Sequence, residues 1–184
     1  MKRIACLLIL LGALCGPVTH AQRTAAGVPF STLSAMPLPH SPAASLSAGA
    51  YTLHGYWEAS LRGDLHPAAL STGEALLRYG RFTAGASYMV RLAATDRRTV
   101  NLYAGAGIFA GYEVADLFRA MPPEVETPLK EGAYVFGAAP TAEAEFYLFP
   151  GLALTLSGQL PVTFLTQFRT LSGAFSVGVR WLWI

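Results

Sequence analysis

Apolar side chains alternate with small or polar ones along most of this sequence, and this period of two constrains its fold more than any other feature. Between Val100 and Val114 every second residue is apolar, and the residues between them include three glycines and Glu113. Successive side chains of a strand point to opposite faces, so the pattern predicts a strand with one apolar and one polar face. The glycines fit the inside of a narrow barrel, where facing side chains compete for room.

The same alternation predicts five further strands and two weaker ones. The five are Tyr51 to Leu61, Phe82 to Leu92, Tyr134 to Leu148, Leu152 to Phe164 and Phe175 to Trp183, and the weaker two are Val28 to Met36 and Ser45 to Ala50. In the first of the five, Tyr51, Trp57 and Leu61 are predicted to point outward, and Glu58 is predicted to point inward.

The connections between these strands are predicted to be alternately short and long. The short ones are 93–98 and 149–151, and the long ones are 63–79 and 115–132. Tight turns at one end and long loops at the other are typical of outer-membrane barrels. We therefore predict an all-β fold, an antiparallel up-and-down β-barrel of about eight strands and of the outer-membrane type. The alternative is a soluble sandwich or lipocalin-like barrel, which is disfavoured because the predicted inner faces carry the charges.

The first 21 residues have the three parts of a secretory signal peptide. Positions 2 and 3 are basic, positions 4–14 are apolar, and Thr19-His20-Ala21 offers a cleavage site before Gln22. We predict that residues 1–21 are removed and that residues 22–184 form a single β-barrel domain. The alternative is that Cys15 is the acylated cysteine of a lipoprotein, but the residue before it is leucine, where such sites have a small residue.

Removal of these residues takes away both cysteines and the excess of basic residues. Without Lys2 and Arg3 the 13 basic residues fall to 11, which equals the 11 acidic ones. Neither a thiol site nor direct nucleic-acid binding is therefore expected. No later segment approaches the roughly 20 consecutive apolar residues of a membrane-spanning helix. A closed β-barrel is the other structure that satisfies all backbone polar groups inside a bilayer.

Charged residues of the predicted strands fall on the inward faces. They are Glu58, Arg62, Arg81, Arg91, Glu113, Glu143, Glu145 and Arg180. A barrel of eight strands has an interior that side chains fill, so we interpret these residues as an interior network of paired charges. The alternative is a hydrolase that uses two of the carboxylates, but the sequence indicates no approach for a substrate. We expect no enzymatic activity, no metal and no cofactor.

The stretch 176–183 combines a glycine with aromatic residues spaced by two. Gly178, Trp181 and Trp183 resemble the signal by which the barrel assembly machinery recognises outer-membrane barrels. They predict a location in the outer membrane, with lipid and the assembly machinery as partners. The alternative is an ordinary edge strand with two tryptophans. Ile184 departs from the usual signal, which ends on the aromatic residue.

From Arg81 onward the order of short motifs resembles the TraO family of conjugative-transposon transfer proteins. The motifs are Phe82-Thr83, Gly111-Tyr112-Glu113 and Glu145-Phe146-Tyr147-Leu148, and the chain after the predicted cleavage begins Gln22-Arg23. Two departures are Ala84-Gly85, where the family shows an acid, and Gln159-Leu160-Pro161, which replaces a charged cluster.

This resemblance implies a non-enzymatic envelope component of an apparatus that transfers transposon DNA between bacteria. It implies other transfer-apparatus proteins as partners, and it carries no catalytic or cofactor residues over to this chain. The alternative is a generic small outer-membrane barrel unrelated to conjugation, such as an adhesin, a structural protein or a lipid-modifying enzyme.

The connection 115–132 is the longest loop predicted between two strong strands. It contains four large apolar residues, Leu117, Phe118, Met121 and Leu129, among three prolines and four acids. This is more apolar surface than a solvated connection needs, so we predict that the loop is a docking surface for another envelope protein. The alternative is that these residues fold back over the barrel mouth as a lid.

Overall fold

The computed structural model describes residues 26–36, 42–69, 76–95, 99–115, 132–164, 166 and 173–184. The predicted signal peptide and the four apolar residues of the candidate docking loop lie outside these ranges. The side chains at 66–69, 76–78 and 115 likewise lie outside the part of the chain that the structure describes. No helix in the described ranges is long and apolar enough to cross a membrane.

Antiparallel strands make up nearly all of the described chain. They are β1 (Pro29–Met36), β2 (Ala43–Tyr51), β3 (Gly55–Ala69), β4 (Leu76–Ala94), β5 (Val100–Ala115), β6 (Gly132–Phe149), β7 (Leu152–Gln159), β8 (Val162–Thr163) and β9 (Ala174–Leu182). Each strand from β1 to β6 pairs with the next one along the chain. β9 pairs with both β7 and β1, and this closes the barrel.

The short β8 continues the line of β7 past Leu160 and Pro161. Both β7 and β8 pair with β6, and the amide of Leu160 between them donates to the carbonyl of Pro140 at 3.0 Å. β7 and β8 therefore form one wall position, and the barrel has eight. The predicted fold is confirmed.

Side chains alternate between the two faces of the wall as the sequence predicts. On β4, Phe82 and Tyr88 are 55% and 46% exposed, whereas their inward-facing neighbours Arg81 and Met89 are buried. Gly178 faces the interior between its paired neighbours Thr155 and Ser34: a Cβ there would lie 2.7 Å from Oγ1 of Thr155. The alternation follows from a closed wall whose inner side chains must share a narrow space.

One predicted orientation is wrong. The alternation predicts Tyr51 on the outer face of a continuous strand 51–61, but Tyr51 is the last residue of β2 and is buried inside the barrel. A tight turn follows, in which the amide of Thr52 donates to the carbonyl of Gly55 at 2.8 Å. Tyr51 then pairs with Tyr56 across the turn. The turn resets the phase of the alternation, so both tyrosines point inward.

The long connection predicted at 63–79 is also largely wrong. β3 continues to Ala69 and β4 begins at Leu76, and the two strands stay paired from Gly55↔Val90 to Ala69↔Leu76. Proline and glycine in this stretch suggest a loop. Pro67 lies beyond Asp64, the last β3 residue that pairs with β2, so its missing amide hydrogen interrupts no bond to that strand.

The barrel has a turn end and a loop end. The turn end carries the connections 52–54, 95–99 and 150–151 together with the start of β1 and the end of β9. Gly151 has φ of 84°, a conformation that favours glycine in so short a connection. The loop end is the opposite end, to which β3 and β4 extend furthest.

Candidate functional site

The interior of the barrel is organised around one arginine. Arg180, on β9, is completely buried, and its Nη1 lies 3.1 Å from Oε1 of Glu145 and 2.9 Å from Oε1 of Glu143. Its Nη2 lies 3.9 Å from Oε2 of Glu58, and its Nε donates to Oγ1 of Thr32 at 2.9 Å. We call Arg180 with Glu58, Glu143 and Glu145 the central cluster. A buried guanidinium needs such partners because each unpaired buried ion costs several kcal/mol.

Two aromatic rings lie on the guanidinium of Arg180. Its Cζ is 4.4 Å from the ring centre of Phe30 and 4.6 Å from that of Tyr56. A cation over an aromatic face is attracted by the ring quadrupole, and this attraction is strongest away from water. The rings therefore contact the guanidinium from the turn end, while the carboxylates bind its nitrogen atoms.

Glu145 is the most heavily bonded carboxylate of the central cluster. It is fully buried and accepts hydrogen bonds from the hydroxyls of three tyrosines, from one amide and from Arg180. The donors are Tyr51, Tyr103 at 3.1 Å, Tyr147 at 3.1 Å and Asn101 at 3.4 Å. These bonds replace the water that an ionised carboxylate loses on burial.

An aromatic layer closes the turn end below the central cluster. It consists of Phe30, Tyr51, Tyr56, Met89 and Tyr103, all buried. The rings of Tyr56 and Tyr103 meet edge to face with centres 5.0 Å apart, and those of Phe30 and Tyr56 do so at 5.4 Å. The layer fills the barrel at this end and removes the cluster from solvent on that side.

Two more ion pairs lie toward the loop end, and we call them the loop-side pairs. Nε of Arg81 donates to Oε1 of Glu113 at 2.8 Å, and Nε of Arg62 donates to Oδ1 of Asp64 at 2.6 Å. The hydroxyl of Thr166 donates to Oε2 of Glu113 at 2.9 Å. The structure thus brings seven of the eight sequence-predicted charges into two groups.

Arg91 is the predicted network residue that the structure does not bring to either group. It lies at the turn end, beyond the aromatic layer, and is half-buried. Its Nη2 donates to the carbonyl oxygen of Leu53 at 3.5 Å, and within the described ranges it forms no ion pair. The alternation places its side chain on the inner face but does not indicate its height along the barrel.

Sequence reasoning missed Asp64 and the tyrosine hydroxyls. Asp64 falls inside the connection wrongly predicted at 63–79, and it is in fact buried on β3. Tyr147 follows Glu145 by two residues and so shares its face, a signal that is available in the sequence. The inward orientation of Tyr51 could not be predicted, because the turn between β2 and β3 shifts the phase of the alternation.

A polar chamber separates the central cluster from the loop-side pairs. Its volume is about 100 Å³, room for several water molecules. Seven serines line it, namely Ser34, Ser45, Ser47, Ser60, Ser87, Ser157 and Ser176. Ser47 and Ser87 each donate to Glu58 at 3.2 Å, so this carboxylate borders the chamber. Such a chamber can hold ordered water that bridges its hydroxyls.

Histidines and carboxylates are the side chains that could take part in metal binding or acid–base chemistry. Within the part of the chain that the structure describes, no three His, Cys, Asp or Glu side chains are grouped to hold a metal ion. A serine and a histidine can act together as nucleophile and base, but His54 is exposed in the turn after β2 whereas Ser60 faces the chamber. The five carboxylates of the central cluster and the loop-side pairs all hydrogen-bond to side chains of the barrel itself.

The outer surface is apolar, with aromatic residues near both ends. Trp57, Tyr88, Phe149, Trp181 and Trp183 are exposed toward the turn end, and Phe82, Tyr112, Tyr134, Phe136 and Phe164 toward the loop end. The Tyr112 and Tyr134 rings meet edge to face at 5.2 Å. Two aromatic girdles around an apolar band are typical of barrels that cross a membrane. The candidate assembly residues Trp181 and Trp183 belong to the turn-end girdle.

A closed antiparallel barrel with a charged interior and an apolar exterior defines a small β-barrel of the outer-membrane type. Among solved structures, Neisserial surface protein A is similar, with a TM-score of 0.59 and 14% identity over 85% of this chain and 95% of that chain. The N-terminal β-barrel domain of Pseudomonas aeruginosa OprF has a TM-score of 0.54 and 11% identity, over 86% and 98% of the two chains. At these identities the similarity shows the fold alone.

The family is identified by a separate sequence match. The chain belongs to the TraO family, because the model described as conjugative transposon protein TraO matches residues 74–183, more than half of the sequence. This confirms the resemblance found in the short motifs. No curated protein sequence matches the chain significantly.

Proposed function

We propose that this protein is a non-enzymatic component of a conjugative-transposon DNA-transfer apparatus and that its barrel is embedded in the outer membrane. Membership of the TraO family supports the link to conjugation. The observation that carries the membrane location is the band of large exposed apolar side chains around a closed barrel. Exposing so many of them to water would be unfavourable, whereas lipid accepts them.

The interior supports a structural role. Its carboxylates are held by arginine, tyrosine, serine and threonine side chains, and the aromatic layer fills the turn end. A catalytic carboxylate needs an approach for its substrate, and these carboxylates are engaged in holding the walls together. The barrel therefore serves as an anchor, with its recognition surfaces in the connections.

The partners proposed for this anchor are of three kinds. Lipid surrounds the apolar band, the barrel assembly machinery recognises the C-terminal segment with Trp181 on β9 and Trp183 just after it, and other transfer-apparatus proteins dock at the loop end. The candidate docking residues Leu117, Phe118, Met121 and Leu129 belong to the connection between β5 and β6. Export by the predicted signal peptide is part of this proposal.

A conjugation assay with a donor that lacks the gene tests the role in transfer. We expect the transfer frequency to fall at least about tenfold and to return when the intact gene is supplied on a plasmid. The matched control is a complementing chain with Tyr134→Phe, which removes only an exposed hydroxyl. A deletion strain that transfers DNA at the parental frequency would contradict the proposed role and favour a generic outer-membrane barrel.

A further inference from the structure

Three buried or half-buried carboxylates from two distant strands converge on the guanidinium of Arg180. Glu58 lies on β3, whereas Glu143 and Glu145 lie on β6. The ion pairs that the described residues give these carboxylates all lead to Arg180. The central cluster thus holds one positive and three negative side chains, with hydroxyls completing the carboxylate bonds.

Arg180 reaches parts of the wall that the backbone of its own strand does not touch. Through hydrogen bonds of the main chain, β9 pairs with β1 and β7. The side chain of Arg180 also contacts Tyr51 on β2, Tyr56 on β3, and Glu143 and Glu145 on β6. A single side chain therefore connects the closing strand to β2, β3 and β6, which its backbone does not contact.

The ion contacts of the loop-side pairs are local by comparison, although Arg62 also donates to Oε1 of Gln159 on β7 at 2.8 Å. Arg81 and Glu113 lie directly opposite each other on the neighbouring strands β4 and β5, and Arg62 and Asp64 lie on the same strand. The first pair needs only the β4–β5 hairpin to form, and the second needs only β3. The central cluster cannot be completed until β9 is in place, since its guanidinium comes from that strand.

We propose that the three carboxylates form an internal binding site for the side chain of Arg180. Insertion of the guanidinium into this site holds β9 between β1 and β7. Without the guanidinium, three carboxylates face one another in a space closed by the aromatic layer, which is strongly unfavourable. With it, each of the three carboxylates gains the same cation as a neighbour, and β9 is held from inside. Closure of the barrel at β7–β9 then depends on Arg180, whereas the pairing of β1 with β2 does not.

Two pairs of facing serines provide matched cross-linking positions, one between β7 and β9 and the other between β1 and β2. Ser157 and Ser176 lie opposite each other on β7 and β9 with their hydroxyl oxygens 2.7 Å apart, and Ser34 and Ser45 do so on β1 and β2 at 2.6 Å. Cysteines at either pair are close enough to form a disulfide. The full chain carries Cys6→Ala and Cys15→Ala, so that only the introduced pair reacts.

The test compares Arg180→Gln with Arg81→Gln in each cysteine background, in membranes of cells that express the chain. For Arg180→Gln we expect disulfide cross-linking in the S157C/S176C background to fall at least about tenfold, because a broken buried ion pair shifts equilibria by more than that. Cross-linking in the S34C/S45C background should stay at the parental level. Arg81→Gln also breaks a buried ion pair, but that pair joins β4 to β5, so both cross-links should stay in place.

Each other outcome decides the proposal as well. Normal β7–β9 cross-linking in Arg180→Gln, or an equal loss in Arg81→Gln, would overturn it. If Arg180→Gln loses both cross-links, the chain R180Q/E143Q/E145Q decides, because it removes two of the uncompensated charges. Recovery of both cross-links in that chain supports the proposed binding site for Arg180, and continued loss contradicts the proposal.

Discussion

Nη1 of Arg180 lies 3.1 Å from Oε1 of Glu145, and both side chains are completely buried inside the barrel. The two residues lie on β9 and β6, with β7 between them in the wall. An ion pair of this kind adds little if both partners can be replaced by apolar side chains, but it is costly to break. The interior is therefore sensitive to the loss of either partner alone.

Replacing Arg180 by methionine should destabilise the folded barrel by about 3–5 kcal/mol, because three carboxylates then lose their cation. Arg180→Lys should be intermediate, since lysine keeps the charge but loses the forked hydrogen bonds and the stacking on Phe30. Urea unfolding of the refolded protein in detergent measures both changes. A loss below about 1 kcal/mol for Arg180→Met would mean that the central cluster contributes little, because breaking a buried pair normally costs more.

Removing one hydroxyl from the bonds to Glu145 should have a smaller effect. Tyr103→Phe takes away a donor at 3.1 Å and should cost about 1.5–3 kcal/mol, the range for a hydrogen bond to a charged group. Tyr134→Phe is the control, because Tyr134 is 82% exposed on the outer surface. The same urea titration compares them, and equal stability of the two variants would show that the Tyr103 hydroxyl is not important.

Two glycines provide a matched test of packing in the barrel. Gly178→Ala places a Cβ 2.7 Å from Oγ1 of Thr155 and 2.8 Å from Cβ of Ser34, so it should cost about 1–3 kcal/mol. Gly158→Ala meets nothing within 4 Å and should be close to neutral. Thermal unfolding followed by circular dichroism distinguishes them. Equal melting temperatures would mean that the wall relaxes freely around β9.

Changing Trp181 and Trp183 together to serine should impair assembly of the barrel in cells. Both side chains are exposed in the turn-end girdle and lie at the C-terminal end predicted to be read by the assembly machinery. Folded barrels migrate differently on gels unless they are boiled, so the fraction in the fast form reports assembly. Trp57→Ser, in the same girdle on β3, is the control. An unchanged folded fraction in the double variant would refute the assembly signal.

Replacing residues 116–131 by a short Gly/Ser linker should leave the barrel folded, because loops of folded barrels tolerate such changes. If the loop is a docking surface, the variant is present at normal abundance but transfer falls at least about tenfold. The control is a Gly/Ser segment of the original loop length that keeps Leu117, Phe118, Met121 and Leu129 at their positions. Transfer at the parental rate by the shortened chain would exclude this loop as the docking surface.

The faces of the strands could be predicted from the sequence because a membrane-type barrel wall enforces a strict period of two. Phe82 and Tyr88 outside and Glu143 and Glu145 inside follow from the alternation alone. Tyr51 does not, because the turn after β2 shifts the phase. The predicted loop around Pro67 is wrong for a different reason. Beyond Asp64, β3 pairs with β4 but not with β2, and proline is tolerated at such an edge, which the sequence does not reveal.

The charged residues could be assigned to the interior, but their partners could not be predicted from the sequence. Pairing depends on the register of strands far apart in the chain, and Arg180 meets Glu145 only because β9 closes the barrel. Arg91 shows the same limit, since its inward orientation carries no information about its height in the barrel. Asp64 was missed because the predicted length of β3 is too short.

Fractionation of cells that carry the transposon tests the central claim, an outer-membrane barrel that serves conjugation, most directly. Total membranes are washed with alkaline buffer and with urea, and inner and outer membranes are then separated on a density gradient. We predict that the chain, beginning at Gln22, stays in the washed outer-membrane fraction in its heat-modifiable folded form. Recovery of the folded protein in the soluble periplasmic fraction would contradict the account and favour a soluble barrel.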